Sequence, residues 1–590
     1  MKRVSLLSML LFISILSAIA QNRTVRGTVT DAITGKPLAG VNVLLPEVGK
    51  GVMTNQEGNF KIVVPQNESN ILFIYPDKAR KEVEIANQAF ISVELGPIRT
   101  KIDETAHFSF GEKREKYLQP YAYQELSSSS IAQKGSQNLA TILKGKASSL
   151  YVDETSGMPG SSASFSIRGK NSAFINNEPL IVIDGLPITS GAAFSGLSNG
   201  MDYSSRINDV NPEDIKSINI LKGASAAALY GSRGANGAII ITTFSGENIK
   251  PNSTRVNVGQ SYIVNQVIGL PEQQNQFGQG SEGQSVEDSP YSWGPSLSSD
   301  VNDNMNPLFQ DGYTAISNFD ISGRSLKGNY NLALSYADQE GIIPNSGMNR
   351  ITAKLRGELK LGNKLSIGAI TNLGLNDVSK LAGGNNTSSV LNGAFLSPLT
   401  YNLWGTAFAN ENDPNQQEYY HGGADNPRWS LVNNQFNELT EKVFGSVYLK
   451  YKPAKWIELN YRGGGELLSE EINEIYGLGS SYTDGRTNPP SGGRIINGQN
   501  TIQQINSNLS AQLKFGNPKG FAFDLLLGNE YIDIQSESII NQGFDITESG
   551  TENISNTTSQ QHDSLTYINQ NLGFYANARL SLYQILHIDL

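Results

Sequence analysis

The sequence predicts a mainly-β protein in three successive parts. They are a small sandwich, a mixed α+β region, and a long series of antiparallel strands of the kind that builds a transmembrane β-barrel. Three observations carry this. Short strands broken by turn residues fill residues 21–97. Helix and strand patterns alternate through 117–246. From 250 to 590 the strands keep a period of two while their connections alternate between short and long. With 590 residues, the chain is too long for one ordinary core.

In the first part, "VRGTVTDAITGKPLAGVNVLL" is cut into short runs by Asp31, Gly35, Pro37 and Gly40. "GNFKIVV" then places Phe60, Ile62 and Val64 on one face, and "ILFIY" and "FISVEL" follow. Short strands at this spacing read as a sandwich. Residues 98–116 form a polar connector.

In the second part, Asn138 to Leu150 reads as an amphipathic helix through Leu139, Ile142 and Leu143. "ASFSIRG" and "PLIVIDGLPI" read as strands, the second broken by the turn pair Asp184-Gly185. A short Ala-rich helix from Ala224 to Tyr230 leads into "GSRGANGAIIITT". A phosphate loop needs strand, glycines and helix in that order, so that amides at the helix N-terminus point at the phosphate. Here the order is helix, glycines, strand, and no Gly-Lys-Ser/Thr ending follows. The glycines are therefore expected to shape a tight turn, with Gly231 closing the helix.

In the third part the faces sort cleanly. "ITAKLRGELKL" places Ile351, Ala353, Leu355, Leu359 and Leu361 on one face, and Thr352, Lys354, Arg356, Glu358 and Lys360 on the other. "NYNLALSY" turns Tyr330, Leu332, Leu334 and Tyr336 outward, and "WIELNYR", "NLSAQLKF" and "GFYANARLSL" repeat the pattern. Segments of about 10 alternating residues are the mark of a membrane-barrel strand. Tight links fall near Lys327-Gly328, Gly362 to Lys364, Pro453 to Lys455 and Gly516 to Gly520. Long loops are expected over 269–315, 377–441, 467–500 and 535–570, with a shorter one over 338–349. Short turns on one side and long loops on the other are what barrels have and compact soluble domains lack. The count is ten strands and the start of an eleventh at Ile585.

Composition narrows the function. Asp and Glu outnumber Lys and Arg by 55 to 45, a net charge of -10, which excludes the broad basic surface of a nucleic-acid binder. There is no cysteine, so disulfides, thiolate metal sites and cysteine nucleophiles are out. The four histidines, His107, His421, His562 and His587, do not lie at metal-ligand spacing. No paired carboxylates and no Ser/His/Asp set stand out, so neither an enzyme nor a cofactor is expected. Residues 1–20 carry Lys2 and Arg3, an apolar run from Leu6 to Ile19, and the small-x-small end Ala18-Ile19-Ala20. That is the form of a secretory signal peptide, and the run is short of the roughly 20 residues a spanning helix needs.

Taken in order, "FSIRG", "PLIVIDGLPI" and "NPEDIKSINILKGASAAALYGSRGANGAIIITT" resemble the plug domain of the SusC/RagA family of TonB-dependent outer-membrane transporters. "NLATILKGKASSLYVDETSGMPGSSASFSIRG" is similar to the start of that plug, and "YNLALSYADQEGIIPNSGMNR" and "DNPRW" to its barrel. "GTVTDAITGKPLAGVNV" and "GVMTNQEGNFKI" resemble the carboxypeptidase-regulatory-like (transthyretin-like) sandwich that commonly precedes it.

The resemblance implies a plug held inside a barrel of about 22 strands. It implies import of an oligosaccharide or peptide, energy from TonB, a SusD-like lipoprotein lid, and a site in outer-membrane lipid. The chain ends at Leu590 inside a strand, so it is expected to supply about half of such a barrel, as a fragment or a disrupted gene product. The segment TonB would grip maps to Ile102, Asp103, Glu104, Thr105 and Ala106; Thr105, Ala106 and His107 replace the family's valines, and a plain linker is the alternative. Loss of coupling would leave a surface binding or adhesion protein of the same fold.

Arg168, Asp184 and Arg233, each in a plug motif, are candidates for ion pairs tying plug to barrel wall; surface turns are the alternative. The long loops carry Tyr291, Trp293, Tyr401, Trp404, Tyr419, Tyr420, Trp429, Tyr476 and Tyr482. Aromatic faces can stack on sugars or peptide side chains, which makes Trp293, Trp404, Tyr419, Tyr420 and Trp429 the leading cargo-contact candidates. Packing within the loops, or contact with the lid, is the alternative for each.

Overall fold

A computed structural model describes residues 23–589 apart from 32–34, 47, 66–69, 77–79, 86–87, 96–104, 108–112, 116–121, 132–137, 174–175, 192–193, 195–199, 298–300, 482–491, 518–519 and 583–585. The proposed signal peptide, Ile102, Asp103, Glu104 and Tyr482 thus lie outside the described residues. The chain divides into two units, Met1–Ala106 with Glu115–Tyr117, and His107–Arg114 with Leu118–Leu590.

The first unit is a sandwich of seven strands: β1 (Arg23–Asp31), β2 (Asn42–Leu45), β3 (Lys50–Met53), β4 (Asn59–Val64), β5 (Asn70–Ile74), β6 (Lys81–Glu84) and β7 (Phe90–Leu95). One sheet runs β4-β1-β7 and the other β3-β2-β5-β6. Alternation decides which face is buried. Val25, Val29, Phe60, Ile62, Val64, Val93 and Leu95 of one sheet meet Val43, Leu45, Ile71 and Phe73 of the other. Phe60 and Phe73 pack edge to face at 5.4 Å. Beyond it, β8 (Thr105–His107) and β9 (Lys113–Glu115) form a two-stranded sheet.

The middle region holds β10 (Tyr123–Ser127), α1 (Ser128–Ile131), α2 (Leu139–Leu143), β11 (Leu150–Glu154), β12 (Ala163–Ile167), β13 (Leu180–Ile183), β14 (Leu186–Ile188), β15 (Ile215–Leu221), α3 (Ala224–Tyr230) and β16 (Ala238–Thr243). Five of the strands form one sheet in the order β10-β15-β16-β13-β14, and β11 pairs with β12. Its core is aliphatic, with Leu139, Ile142, Leu143, Ile181, Ile183, Ile218, Ile220, Ile239 and Ile241 in one cluster. The helix expected to reach Leu150 stops at Leu143, because Lys144 turns to ψ 123 and Gly145 takes φ 72. The glycine-rich stretch after α3 is a turn. Gly231 caps the helix at φ 64, and a Cβ on Gly234 would stand 2.3 Å from the Ala226 carbonyl.

Eleven strands make the last sheet: β17 (Ser253–Asn265), β18 (Gly312–Arg324), β19 (Gly328–Glu340), β20 (Gly347–Leu361), β21 (Leu365–Lys380), β22 (Asn434–Ala454), β23 (Ile457–Tyr476), β24 (Arg494–Gly516), β25 (Phe521–Ile546), β26 (Thr557–Leu582) and β27 (Leu586–Asp589). They lie in sequence order, each antiparallel to the next, and among the described residues β17 and β27 are the open edges. The sheet is inside out by soluble standards. On β20, Ile351 and Leu355 are exposed while Arg350, Thr352 and Lys354 are buried; on β19, Tyr330, Leu334 and Tyr336 are exposed while Asn331 and Ser335 are buried.

The connections alternate short and long, but the strands run further than the alternation predicts. The link expected over 535–570 is only 547–556, and that expected over 467–500 is 477–493. Stretches such as "TTSQQHDSLTYINQ" lack an apolar face yet stay extended by pairing their backbone along β25. The 381–433 connection carries α4 (Val390–Leu396) and α5 (Pro427–Asn433).

Candidate functional site: the middle region against the sheet's polar face

The buried face of the long sheet grips the middle region by charge. Its centre is Arg206, in a 3-10 turn over Arg206–Asp209 between β14 and β15. The guanidinium donates to Glu438 Oε1 at 2.8 Å, to the Ser204 carbonyl at 2.9 Å, and to Thr440 Oγ1. Asp209 and Glu470 lie 3.8 and 3.5 Å away. Burial works against the Arg206 charge, but Asp209, Glu470 and Glu438 together outweigh it and raise its pKa.

Wall residues complete the cluster. Lys380 pairs with Glu438 and donates to the Asp202 carbonyl. Lys442 pairs with Glu466 at 2.9 Å and reaches Asp209 at 3.7 Å. The Thr189 and Ser204 amides donate to Glu466 and Glu438 at 2.9 and 3.0 Å. The Tyr203 hydroxyl donates to Glu474 at 2.6 Å. Burial first, then the Glu474 carboxylate, hold that phenol far above its ordinary pKa, so it stays a donor. One strand therefore presents Glu466, Glu470 and Glu474 on one face, and its neighbour presents Glu438, Thr440 and Lys442.

The sequence motifs do not single out this cluster, although a signal exists. Glu438, Thr440 and Lys442 alternate with Leu439 and Val443, which are exposed. Charges and a hydroxyl at period two, opposite a face that carries Leu439 and Val443 beside Glu441, point inward toward a polar partner.

The three sequence-predicted anchors fare differently. Asp184 sits in the β13–β14 turn at φ 48. Its carboxylate pairs with Arg356 of β20 at 3.0 Å and accepts from the Thr243 amide and hydroxyl at 3.1 and 2.7 Å. Its carbonyl accepts from Arg462 of β23. Arg233 pairs with Glu530 of β25 at 3.3 Å. Arg168 needs correcting. It is exposed, at φ 63, with its amide bonded to the Ser149 carbonyl, and among the described residues no ion pair holds it. The strand end turns its side chain outward, beside Gly223.

The loop aromatics also divide. Trp293 is 66% exposed. Trp429 is 1% exposed and donates to Ser480 Oγ at 2.8 Å, so it packs the loops and offers no face to cargo, which corrects that expectation. Trp404 donates to the Asn304 carbonyl at 3.1 Å and is partly buried. Tyr419 donates to the Gly393 carbonyl at 2.9 Å and Tyr420 to that of Leu396 at 3.2 Å, with their rings 4.5 Å apart. Burial pushes the Tyr420 phenol up to about 12. These three are tied into loop packing first. Thr105 and Ala106 lie in β8, paired with β9.

A mixed domain tied by charge to the inner face of a sheet that is apolar outside is the arrangement of a plug held against a barrel wall. Two family models match: the TonB-dependent Receptor Plug Domain over residues 115–238, and the CarboxypepD_reg-like domain over 25–105. The TonB-dependent receptor SusC of Bacteroides thetaiotaomicron is 30% identical over 353 residues, which is 58% of this chain and 33% of that protein. The TonB-dependent receptor P26 of Formosa agariphila is 29% identical over 440 residues, 73% of this chain and 42% of that protein. The RagAB peptide importer in its open-open state superposes with a TM-score of 0.65 at 19% identity, covering 82% of this chain and 55% of the other, which is a likeness of fold. Together the matches make the chain similar to TonB-dependent receptors of the SusC/RagA type. Those relatives are receptors rather than enzymes. The chain spans about a third to two fifths of the length of the curated relatives it matches.

Proposed function

We propose that the chain forms the plug and part of the wall of an energy-coupled importer in the outer membrane, exported by residues 1–20. Its cargo is a complex nutrient, an oligosaccharide or a peptide, taken up with TonB and a SusD-like lipoprotein. The observation that carries this reading is how the plug is held. An apolar outer face suits lipid. On the inner face the plug rests on ion pairs and hydrogen bonds around Arg206 and Asp184. Such contacts can be exchanged for water when the plug is pulled, whereas a greasy interface could not rewet so readily.

Deletion of residues 102–106 in cells that depend on this receptor tests the coupling. Uptake should stop while the protein level in the outer membrane stays constant; unchanged uptake sinks the assignment. A second reading, a surface binding protein without coupling, draws support from β8, whose Thr105 and Ala106 are already paired with β9. A strand that must add to a partner's sheet edge needs its own backbone free. Binding of glycans or peptides with no uptake would favour that reading.

A further inference from the structure

We propose that the run Asp425-Asn426-Pro427-Arg428-Trp429 is a positioning knot that ties the loop cover to the plug, so that disorder in one raises disorder in the other. The proposal rests on the importer reading for its purpose, though not for its geometry.

Each residue of the run holds a different piece of chain. Asp425, 1% exposed, accepts from the Ser481 amide at 2.8 Å, from Gln417 Nε2 at 2.5 Å, and from Ser388 Oγ. The Asn426 side chain donates to the Glu418 carbonyl at 2.8 Å and accepts from the Arg428 amide at 2.9 Å, capping α5. Pro427 occupies the first turn of α5, where its missing N–H is not needed. Arg428 gathers the carbonyls of Leu403, Trp404 and Thr406 at 3.1, 3.3 and 2.7 Å and lies 4.8 Å from the Phe408 ring. Trp429 reaches Ser480, which in turn donates to Asn434 at 2.7 Å. Five residues therefore fasten the segments around 388, 403–418 and 480–481 to the top of β22.

One of these segments also carries the plug. Ser388 ends a turn that begins at Gly383. The Gly383 amide donates to the Gly200 carbonyl of the plug at 3.0 Å, and Asn386 accepts from the Ser388 amide at 2.8 Å. The Asp425 amide closes the circuit on the Thr387 carbonyl at 2.9 Å. The plug segment passes so close that a Cβ on Gly200, at φ 85, would stand 2.2 Å from the Gly383 carbonyl. Two residues beyond Gly200 begin the contacts to Lys380, Glu474 and Glu438. The 383–388 turn is thus shared between the knot and the plug segment that holds Arg206.

Energetic coupling between two sites is reciprocal, which gives the test two directions. Hydrogen exchange is followed by mass spectrometry on the receptor purified from its membrane. Asp425→Ala should speed exchange about fivefold or more in the 402–418 loop and also at plug residues 200–205. Gly200→Ala should do the reverse, loosening the plug segment and also residues 425–431. Asp425→Asn, which keeps one carbonyl oxygen for the Ser481 amide, should fall between wild type and Asp425→Ala at both places. If each variant loosens only its own side, the knot merely folds the loops and the proposal is overturned. Should Asp425→Ala fail to assemble, Asp425→Asn and Gly200→Ala decide the matter by the same comparison. None of these readouts requires transport, so failure of the importer reading shows separately, as absent uptake with the coupled exchange intact.

Discussion

Arg206 and Glu438 face each other across the plug–wall boundary at 2.8 Å, each side chain 1% exposed, although 232 positions separate them in the chain. A charge removed from water at such depth is tolerable only while its partner stays. Removing one partner of a buried pair costs about 3–5 kcal/mol, whereas replacing both by apolar groups of like volume is often neutral. Arg206→Ala should therefore lower thermal stability sharply, and Arg206→Met with Glu438→Leu should recover only part of it, because Lys380, Asp209 and Glu470 each lose a partner as well. Unfolding of the purified receptor, followed by the heat-dependent mobility shift of barrel proteins on gels, measures both. Recovery of stability without recovery of uptake would show that the charges serve release of the plug rather than its retention.

Asp184 is a smaller anchor with a backbone constraint added. Its φ of 48 suits Asn or Asp far better than a β-branched residue. Asp184→Asn keeps an acceptor for the Thr243 amide but loses the charge opposite Arg356. A loss of about 1–2 kcal/mol is expected for it, and a larger one for Asp184→Val, which adds strain to the lost bonds. Chemical denaturation of the two variants in parallel ranks them.

The Arg233–Glu530 pair offers the contrast. Its side chains are 24% and 17% exposed, so water and salt weaken it. Arg233→Gln should cost less than about 1 kcal/mol, and the deficit should shrink as ionic strength rises. A double mutant cycle with Glu530→Gln at low and high salt gives the coupling directly.

Much of this architecture can be read before any coordinates exist, and the reason is periodic. Tyr330, Leu334 and Tyr336 facing out, with Lys354 and Arg356 facing in, follow from two-residue alternation alone. The order of helix, glycines and strand around Gly231 likewise excludes a phosphate loop without a structure. What stays hidden depends on distant pairing. Nothing near Arg206 marks it out from Arg168, yet one meets two buried wall carboxylates and a hydroxyl while the other points to solvent. The polar length of β25 and β26 is hidden for a related reason. Their residues have no apolar face to advertise, and their extension rests on backbone pairing with each other.

The loop tryptophans separate binding from folding. Trp429 is enclosed and bonded to Ser480, so Trp429→Ala should cost about 3–5 kcal/mol of loop or global stability. Trp293 lies open on the long β17–β18 connection, and Trp293→Ala should change stability by less than about 0.5 kcal/mol. Any loss of cargo or lid affinity in Trp293→Ala, measured by calorimetry with glycans, peptides or the neighbouring lipoprotein, is then a contact effect. Equal losses of stability in the two variants would remove that distinction.

His421 makes the aromatic loop sensitive to acid. Its ring lies 4.5 Å from Tyr420 and 5.6 Å from Tyr419, and the Gly423 amide donates to its Nδ1 at 3.0 Å. Burial lowers its pKa below 6.5, with Asp288 opposing in part. A depressed imidazole pKa means that the folded loop prefers the neutral ring. Its contribution is complete above 6.5, where both folded and unfolded rings are neutral, and is lost as pH falls from 6.5 through the folded value. Amide exchange of residues 417–424 should therefore quicken on acidification across that range and stay flat in His421→Gln, which keeps an acceptor near the Gly423 amide without a proton to gain. A wild-type profile as flat as that of His421→Gln would mean that the ring titrates alike in the open and closed loop, and that Tyr419 and Tyr420 hold their places without it.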